Sequence, residues 1–245
     1  MPQDASRKSL ELIVALDVYT LEKASGFVKM LYPTVKLFKV GSRLFTAHGP
    51  EAVKMVAEKG GKVFLDLKFY DIPQTAYGAS SASTMYIKPI TGTEEPFEAA
   101  VFMMTVHIQG GKKMLEEAMK GATDKARELK IERPRIVGVT VLTSEEQEDT
   151  AKIVLERAKL AQQAGLDGVV CSVHEAAAVR KACGNAFIIV TPGIRPLGAE
   201  KNDQNRIATP KEAMKAGANF IVVGRPILEA EDPLKAAEAI IEELL

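Results

Sequence analysis

The sequence predicts an α/β protein whose single domain, residues 1–245, folds as a (β/α)8 barrel, also called a TIM barrel. Three observations favour this fold. Short apolar runs recur eight times along the chain, segments with helical periodicity lie between them, and no Ser/Pro-rich linker or low-complexity stretch divides the chain. Parallel strands buried on both faces have nearly continuous apolar sequences, so eight such runs alternating with helices favour a closed barrel.

The predicted strands are short and rich in Val, Ile, Leu and Phe, as in "ELIVALD" and "NFIVVG". Such residues favour strands because they pack well on a pleated, buried surface. In chain order the predicted strands cover residues 11–17, 35–41, 62–68, 101–107, 135–142, 167–172, 186–193 and 219–224.

The predicted helices have the three- and four-residue spacing of apolar residues that is typical of amphipathic helices. They cover residues 21–31, 42–60, 111–130, 150–165, 174–184, 209–217 and 232–245. Several end at a glycine before the next strand, a common C-terminal stop, namely Gly60, Gly165, Gly184 and Gly217. The alternative, a doubly wound open sheet, is less favoured because no G-x-G-x-x-G sequence follows the first strand.

The composition argues against several classes of protein. The 32 basic and 32 acidic residues cancel, so no net charge attracts the protein to nucleic acid or to an anionic membrane. The longest apolar runs are too short to span a bilayer, and no signal peptide is predicted. Cys171 and Cys183 fit no metal-ligand spacing, and two thiols in a chain of this size favour the reducing cytoplasm.

Four charged residues lie at or near the carboxyl ends of the first three predicted strands. Asp17 ends the first strand, Lys39 lies near the end of the second, and Asp66 and Lys68 end the third. Because Asp66 and Lys68 are two residues apart, their side chains should leave the same side of the strand. Any one of these residues could belong to a structural ion pair. Charge at the same end of three adjacent strands instead favours an active site, which forms at this end of such barrels.

A second group of polar residues follows the seventh and eighth predicted strands, where this architecture often binds phosphate. The segment 191–206 is a long, Gly- and Pro-containing loop that carries Arg195 and Gln204. After the eighth strand, Gly224 allows close approach of backbone N–H groups, and Arg225 offers a forked donor to phosphate oxygens. An isolated Gly-Arg pair is better interpreted as a solvated turn, but its position in the barrel favours a phosphate site.

Other polar residues near the strand ends carry weaker signals. Ser144 is expected to cap the helix that follows the fifth strand, whereas for Thr143 a cap and a ligand contact are balanced. His107 ends the fourth strand without an assigned function, and His48 is interpreted as an ordinary surface or helix residue.

These residues together resemble the orotidine 5′-monophosphate decarboxylase family. The family's D-x-K-x-x-D-I-x-x-T signature is present as Asp66, Lys68, Asp71, Ile72 and Thr75. Further matches are "ALD", "FKVG", "VLTS", "DGVVCSVHE", "TPGIR", "NDQ" and "VVGR", which occur in the family's order and span nearly the whole chain. The resemblance implies a barrel without metal or organic cofactor that acts on a nucleotide and forms a homodimer with shared active sites.

The resemblance also implies a role for each matching residue. Lys68 is expected to protonate C6 of the pyrimidine, with Asp66 against the departing carboxylate. Lys39 and Asp17 are expected at the ribose, and Thr143 at the amide edge of the pyrimidine. Asp71, Ile72 and Thr75 are expected to reach the partner subunit's site. The expected contacts on the phosphate side are Arg195, Gln204, Gly224 and Arg225.

The sequence departs from the family between Thr75 and His107, where it is about a dozen residues longer than expected from the resemblance. The extra segment, at about 86–98, is dense in Pro, Gly and Thr, which is typical of turns. If it joins the third helix to the fourth strand, it should lie at the amino-terminal face of the barrel, away from the chemistry.

Two other functions were weighed against decarboxylation. Related sugar-phosphate decarboxylases and synthases share the D-x-K-x-x-D element but use Mg²⁺, whereas Thr75, Thr143 and Gln204 favour a nucleotide. A catalytically silent phosphate-binding protein is the other alternative. It is less favoured because Lys39, Asp66 and Lys68 are all present.

Overall fold

The computed structural model describes residues 10–89, 97–142, 149–196 and 208–244. The strands are β1 (Glu11–Ala15), β2 (Leu37–Gly41), β3 (Lys62–Phe69), β4 (Ile87–Pro89), β5 (Phe97–Ala99), β6 (Val101–His107), β7 (Arg135–Val139), β8 (Gly168–Val170), β9 (Ile188–Thr191) and β10 (Phe220–Val223). Eight of them close into a barrel in the order β1-β10-β9-β8-β7-β6-β3-β2, and every neighbouring pair is parallel. The predicted barrel is therefore confirmed.

The helices surround this barrel. They are α1 (Leu21–Leu31), α2 (Ser42–His48), α3 (Glu51–Glu58), α4 (Pro73–Thr84), α5 (Gly111–Leu129), α6 (Thr150–Gln163), α7 (Val173–Cys183), α8 (Pro210–Lys215), α9 (Arg225–Leu228) and α10 (Pro233–Glu242). Polar side chains at several N-termini accept a hydrogen bond from the first turn, as Thr20 does in α1 and Asp232 in α10. These caps satisfy backbone N–H groups that have no partner inside the helix. No helix in the described ranges is long and apolar enough to cross a bilayer.

The core has two parts because each barrel strand is buried on both faces. One apolar cluster fills the inside of the barrel, and a much larger one lies between the strands and the helices. The inner cluster is formed by Ile13, Ala15, Leu37, Phe64, Met103, Val137, Val190, Phe220 and Val222. The apolar runs in the sequence thus supply side chains to both faces of the sheet.

The segment 42–60, predicted as one helical stretch, consists of two helices. The helix α2 ends at His48, and Gly49 follows with a φ of +56°, a left-handed conformation that glycine adopts easily. Pro50 then precedes α3 and could not continue α2, because proline has no N–H to donate inside a helix.

The segment between α4 and β6 contains an antiparallel hairpin formed by β4 and β5. The carboxylate of Glu98 in β5 lies 3.0 Å from Nζ of Lys88 and 3.2 Å from Nζ of Lys62. Lys62 begins β3, so these contacts hold the hairpin at the amino-terminal face of the barrel. The described part of the predicted extra segment therefore lies opposite the carboxyl ends of the strands, while residues 90–96 lie outside the described ranges.

The helices α4 and α5 approach each other closely at Gly121. A Cβ atom at this position would lie 2.2 Å from the backbone oxygen of Tyr77, which no side chain could tolerate. This contact fixes α4 against α5.

Candidate active site

A cavity of about 1540 Å³ opens at the carboxyl ends of the barrel strands. Its lining includes Asp17 after β1, Lys39 in β2, and Asp66 and Lys68 in β3. The prediction that these four residues converge is correct in this structure. Their strands are neighbours in the barrel, which brings the side chains to one side of the cavity.

The four side chains form an alternating line of negative and positive groups, which we call the charged row. Nζ of Lys39 lies 3.1 Å from Oδ1 of Asp17 and 3.6 Å from Oδ2 of Asp66. Nζ of Lys68 donates to Oδ1 of Asp66 over 2.9 Å. The Lys39 and Asp66 side chains are 12% and 14% exposed, whereas Lys68 is 35% exposed and faces the cavity. Lys68 is thus the more accessible of the two cations.

The neighbouring charges control the protonation of Asp66. Burial would raise the pKa of this carboxyl group, but the charges of Lys39 and Lys68 and the hydrogen bonds from Lys68 and Thr105 oppose it. The pKa of Asp66 is lowered as a result. Asp66 is therefore ionised at neutral pH, and its carboxylate attracts the ammonium groups of both lysines.

The backbone of β3 is irregular at the charged row. Leu65 pairs with Met104 of β6 and Phe69 pairs with Val106, so the three residues 66–68 lie opposite Thr105 alone. Lys68 has a φ of +52°, a left-handed conformation that is uncommon for a residue with a side chain. Asp66 and Lys68 meet as predicted, but at a bulge and not on a regular strand.

The cavity continues toward the ends of β9 and β10. Arg195 follows β9, and Gly224 and Arg225 follow β10; all three residues line the cavity. The Arg195 side chain is buried, and the position of a Cβ on Gly224 would lie 3.7 Å from Oδ2 of Asp17. Arg195, Gly224 and Arg225 thus share one cavity with the charged row.

The remaining predicted residues do not line the cavity of their own chain or are not described. Asp71, Ile72 and Thr75 are exposed and follow β3, and Oδ1 of Asp71 accepts a hydrogen bond from the backbone N–H of Ile72. Thr143 and Gln204 lie outside the described residues.

A group of residues at the rim near Asp17 was not predicted from the sequence. Nη1 of Arg43 donates to the backbone oxygen of Asp17 over 2.7 Å, and its guanidinium lies 4.7 Å from the ring centre of Tyr19. Nε2 of His48, interpreted as an ordinary residue, lies 2.9 Å from the backbone oxygen of Tyr19. Arg43 could have been predicted, because it is a charged residue only two positions after the end of the second strand.

Thr105 was also not predicted from the sequence. It is fully buried in β6, and its hydroxyl contacts both Asp66 and the backbone of Lys68. In the sequence, a polar residue inside the apolar run 101–107 was the available signal. Among the described residues, no group of three or more His, Cys, Asp or Glu side chains could hold a metal ion.

Comparisons with known proteins agree with this geometry. Residues 10–240 match the model of the orotidine 5′-phosphate decarboxylase / HUMPS family. A protein of Moorella thermoacetica named orotidine 5′-phosphate decarboxylase is 45% identical over 244 residues, which cover 96% of this chain and 92% of the relative. One of Coxiella burnetii with the same name is 44% identical over 246 residues, 96% of each chain.

The crystal structure of orotidine 5′-phosphate decarboxylase from Lactobacillus acidophilus is also similar. It superposes with a TM-score of 0.79 at 34% identity and covers 96% of this chain and 99% of that chain. The match to the family model, the identity to relatives over nearly their whole length and the similar barrel of a solved structure all indicate the same family. The chain therefore belongs to the orotidine 5′-phosphate decarboxylase / HUMPS family.

Proposed function

We propose that the protein decarboxylates orotidine 5′-phosphate to UMP and CO2, the final step of de novo pyrimidine biosynthesis. The observation that carries this proposal is the charged row at the mouth of the barrel. The names of the relatives from M. thermoacetica and C. burnetii, at 45% and 44% identity, support the same substrate.

The chemistry of this reaction explains why such a row is needed. Loss of CO2 from C6 leaves an electron pair in an sp² orbital orthogonal to the π system, so the ring does not delocalise it. The protein must stabilise this carbanion with a cation that is in place beforehand. In our proposal Lys68 is that cation, and its proton replaces CO2 at C6. Asp66 holds Lys68 and faces the departing carboxylate, and the scheme requires neither a metal nor an organic cofactor.

The other cavity residues would orient the nucleotide. We assign Asp17 and Lys39 to the ribose hydroxyls, since both are polar and lie at the β1–β2 side of the cavity. Arg195, Arg225 and the backbone at Gly224 would hold the phosphate, because guanidinium groups match phosphate oxygens in charge and geometry. Thr143 is proposed for the amide edge of the pyrimidine and Gln204 for the phosphate side. Binding energy at the phosphate can then position C6 against Lys68.

The active form in this proposal is a homodimer with two shared sites. Asp71, Ile72 and Thr75 are exposed and lie outside the cavity of their own chain, although they belong to the same signature as Asp66 and Lys68. Ile72 is 66% exposed, which suits an apolar contact with a second copy. These residues would complete the partner's site.

A metal-dependent sugar-phosphate enzyme is the second candidate, because the family model covers more than one activity. Such an enzyme would use Mg²⁺ to stabilise an enediolate. The contacts of Asp66 argue against this role: Oδ1 accepts from Lys68 and Thr105, and Oδ2 faces Lys39. Both oxygens are thus engaged, whereas magnesium is usually bound through carboxylate oxygens.

The decisive experiment follows the absorbance of orotidine 5′-phosphate near the orotate band after enzyme is added, with and without EDTA. We expect the absorbance to fall at the same rate in both samples. No change at micromolar enzyme would contradict the proposed reaction. A reaction that EDTA stops would support the metal-dependent candidate.

A further inference from the structure

The hydroxyl group of Thr105 contacts two residues of the charged row, Asp66 and Lys68. Its Oγ1 accepts a hydrogen bond from the backbone N–H of Lys68 over 2.8 Å and donates one to Oδ1 of Asp66 over 3.1 Å. The direction of both bonds is fixed. A backbone N–H can only donate, so the hydroxyl accepts there, and its own hydrogen is left for the carboxylate.

The hydroxyl also completes the bulge in β3. Since residues 66–68 face Thr105 alone, the regular ladder is interrupted at this point. The N–H of Lys68 is bonded to the Thr105 side chain, while Lys68 keeps its φ of +52°. A conformation of this kind persists when surrounding contacts enforce it. Thr105 thus supports the backbone position from which the Lys68 side chain starts.

The same hydroxyl restricts the rotation of the Asp66 carboxylate. Oδ1 accepts hydrogen bonds from the Thr105 hydroxyl and from Nζ of Lys68. Oδ2 therefore faces Nζ of Lys39, at a distance of 3.6 Å. Each lysine is therefore paired with its own oxygen. Thr105 is fully buried and is not among the residues that line the cavity, so it acts on a bound nucleotide only through its neighbours.

We propose that Thr105 is a positioning residue of this enzyme: its hydroxyl sets the orientation of Asp66 and the backbone of Lys68 for proton delivery. The inference deepens the proposed decarboxylase function and rests on it. Other buried threonines of the barrel differ in their contacts. Oγ1 of Thr191, for example, donates to the backbone oxygen of Phe220. The Thr105 hydroxyl instead donates to an ionised carboxylate in the cavity wall.

The test compares Thr105→Val, which keeps the shape and removes the hydroxyl, with Thr105→Ser, which keeps the hydroxyl. Thr191→Val is the matched control, because it removes an equally buried hydroxyl from another barrel strand. For Thr105→Val we expect kcat to fall about 10- to 100-fold, the range for a lost hydrogen bond to a charged group. KM should change less than about threefold, because Thr105 does not contact the nucleotide. Thr105→Ser and Thr191→Val should stay within about threefold of the parent enzyme in kcat.

The pH dependence of kcat provides a readout that a merely structural role would not move. The hydrogen bond from Thr105 helps to lower the pKa of Asp66, so its removal should shift the acidic limb of the profile to higher pH. Thr105→Ser and Thr191→Val should leave this limb in place.

Each outcome decides one question. An inactive parent enzyme contradicts the proposed function and this inference with it. If the parent is active and Thr105→Val matches it in kcat and pH profile, only the positioning role is wrong. Equal losses of kcat in Thr105→Val and Thr191→Val would also overturn the positioning role, because the effect would then not be specific to the hydroxyl of Thr105. Thr105→Ala replaces the valine variant if that variant does not fold. Failure of both to fold would make the hydroxyl a folding determinant and overturn the positioning role.

Discussion

Nζ of Lys68 lies 2.9 Å from Oδ1 of Asp66, across a bulge in the strand that carries both residues. Both residues line the cavity. A cation fixed in this way needs little reorganisation when negative charge develops near it.

Replacing Lys68 by alanine should reduce the decarboxylation rate on the order of 10³-fold or more, because the preorganised cation and the proton donor are lost together. Lys62→Ala is the matched control, since Lys62 begins the same strand at the opposite face of the barrel. It should retain normal turnover. The measurement is kcat by the absorbance assay, and near-normal turnover of Lys68→Ala would refute the assignment.

Replacing Arg225 by alanine should lower kcat/KM for orotidine 5′-phosphate about 10- to 100-fold, because a charge-assisted contact to phosphate is removed. The same substitution should have little effect on orotidine, which has no phosphate. Arg127→Ala provides the control, since Arg127 is exposed on α5 and its side chain is 77% accessible. An equal loss with both substrates would argue that Arg225 does not bind the phosphate.

A mixture of two inactive variants should recover activity if the sites are shared between subunits. In a heterodimer of Lys68→Ala and Asp71→Asn, one site carries both substitutions and the other carries neither. Random exchange would then restore about a quarter of the parent activity, because half of the dimers are mixed and each has one intact site. The rate is measured after the variants are unfolded together and refolded. A mixture that stays inactive would contradict sharing through Asp71.

The hairpin should stabilise the fold without affecting the chemistry. Glu98→Gln weakens its ion pairs with Lys62 and Lys88, and we expect a loss of about 0.5–1 kcal/mol in the free energy of unfolding. Both kcat and KM should remain within about twofold, because the hairpin lies at the opposite face. Glu58→Gln, which alters an exposed pair with Lys54, should cost less. Urea unfolding and steady-state kinetics measure the two effects, and a large fall in kcat would show coupling between the faces.

The stability of the protein should depend on pH through Asp66. Its pKa is lowered in the folded protein, so its contribution is fully present above the ordinary value of about 3.9 and is lost as pH falls through the folded value. At neutral pH the free energy of unfolding of the parent protein should be about 1–3 kcal/mol higher than that of Asp66→Asn, as expected for a hydrogen-bonded charge. This difference should shrink below about pH 4. Urea unfolding across this pH range measures it, and a constant difference would contradict the assignment.

The barrel could be predicted from the sequence because its strands are apolar on both faces. The predicted strand 62–68 differs by one residue from β3 (Lys62–Phe69), and 101–107 agrees with β6. The predicted strand 11–17 is longer than β1 (Glu11–Ala15) because Leu16 continues the apolar run by one residue, up to Asp17, after the strand has ended. Gly49 and Pro50 are residues that typically end a helix, but the helical spacing of apolar residues on both sides favoured a single helix.

The four residues of the charged row could be predicted because charge is unusual at the end of a buried strand. For Thr105 the only signal was a polar residue inside an apolar run, and this signal does not show that the hydroxyl faces a carboxylate, because threonine is common in strands. The bulge was also hidden, since a regular strand would bring Asp66 and Lys68 to the same side as well. The role of Thr105 and the bulge both depend on contacts between β3 and β6, which are far apart in the sequence and visible only in the structure.

The bulge in β3 makes the site depend on chain length as well as on residue identity. Three residues between Leu65 and Phe69 face one residue of β6, so the number of residues in this short stretch must stay the same. Deleting Leu67, or inserting one residue beside it, would leave both charged side chains in the sequence yet separate their partners. We therefore expect single-residue insertions and deletions here to abolish activity as fully as substitution of Lys68. At the other end of the same strand, by contrast, an entire hairpin inserted between α4 and β6 is accommodated beside Lys62.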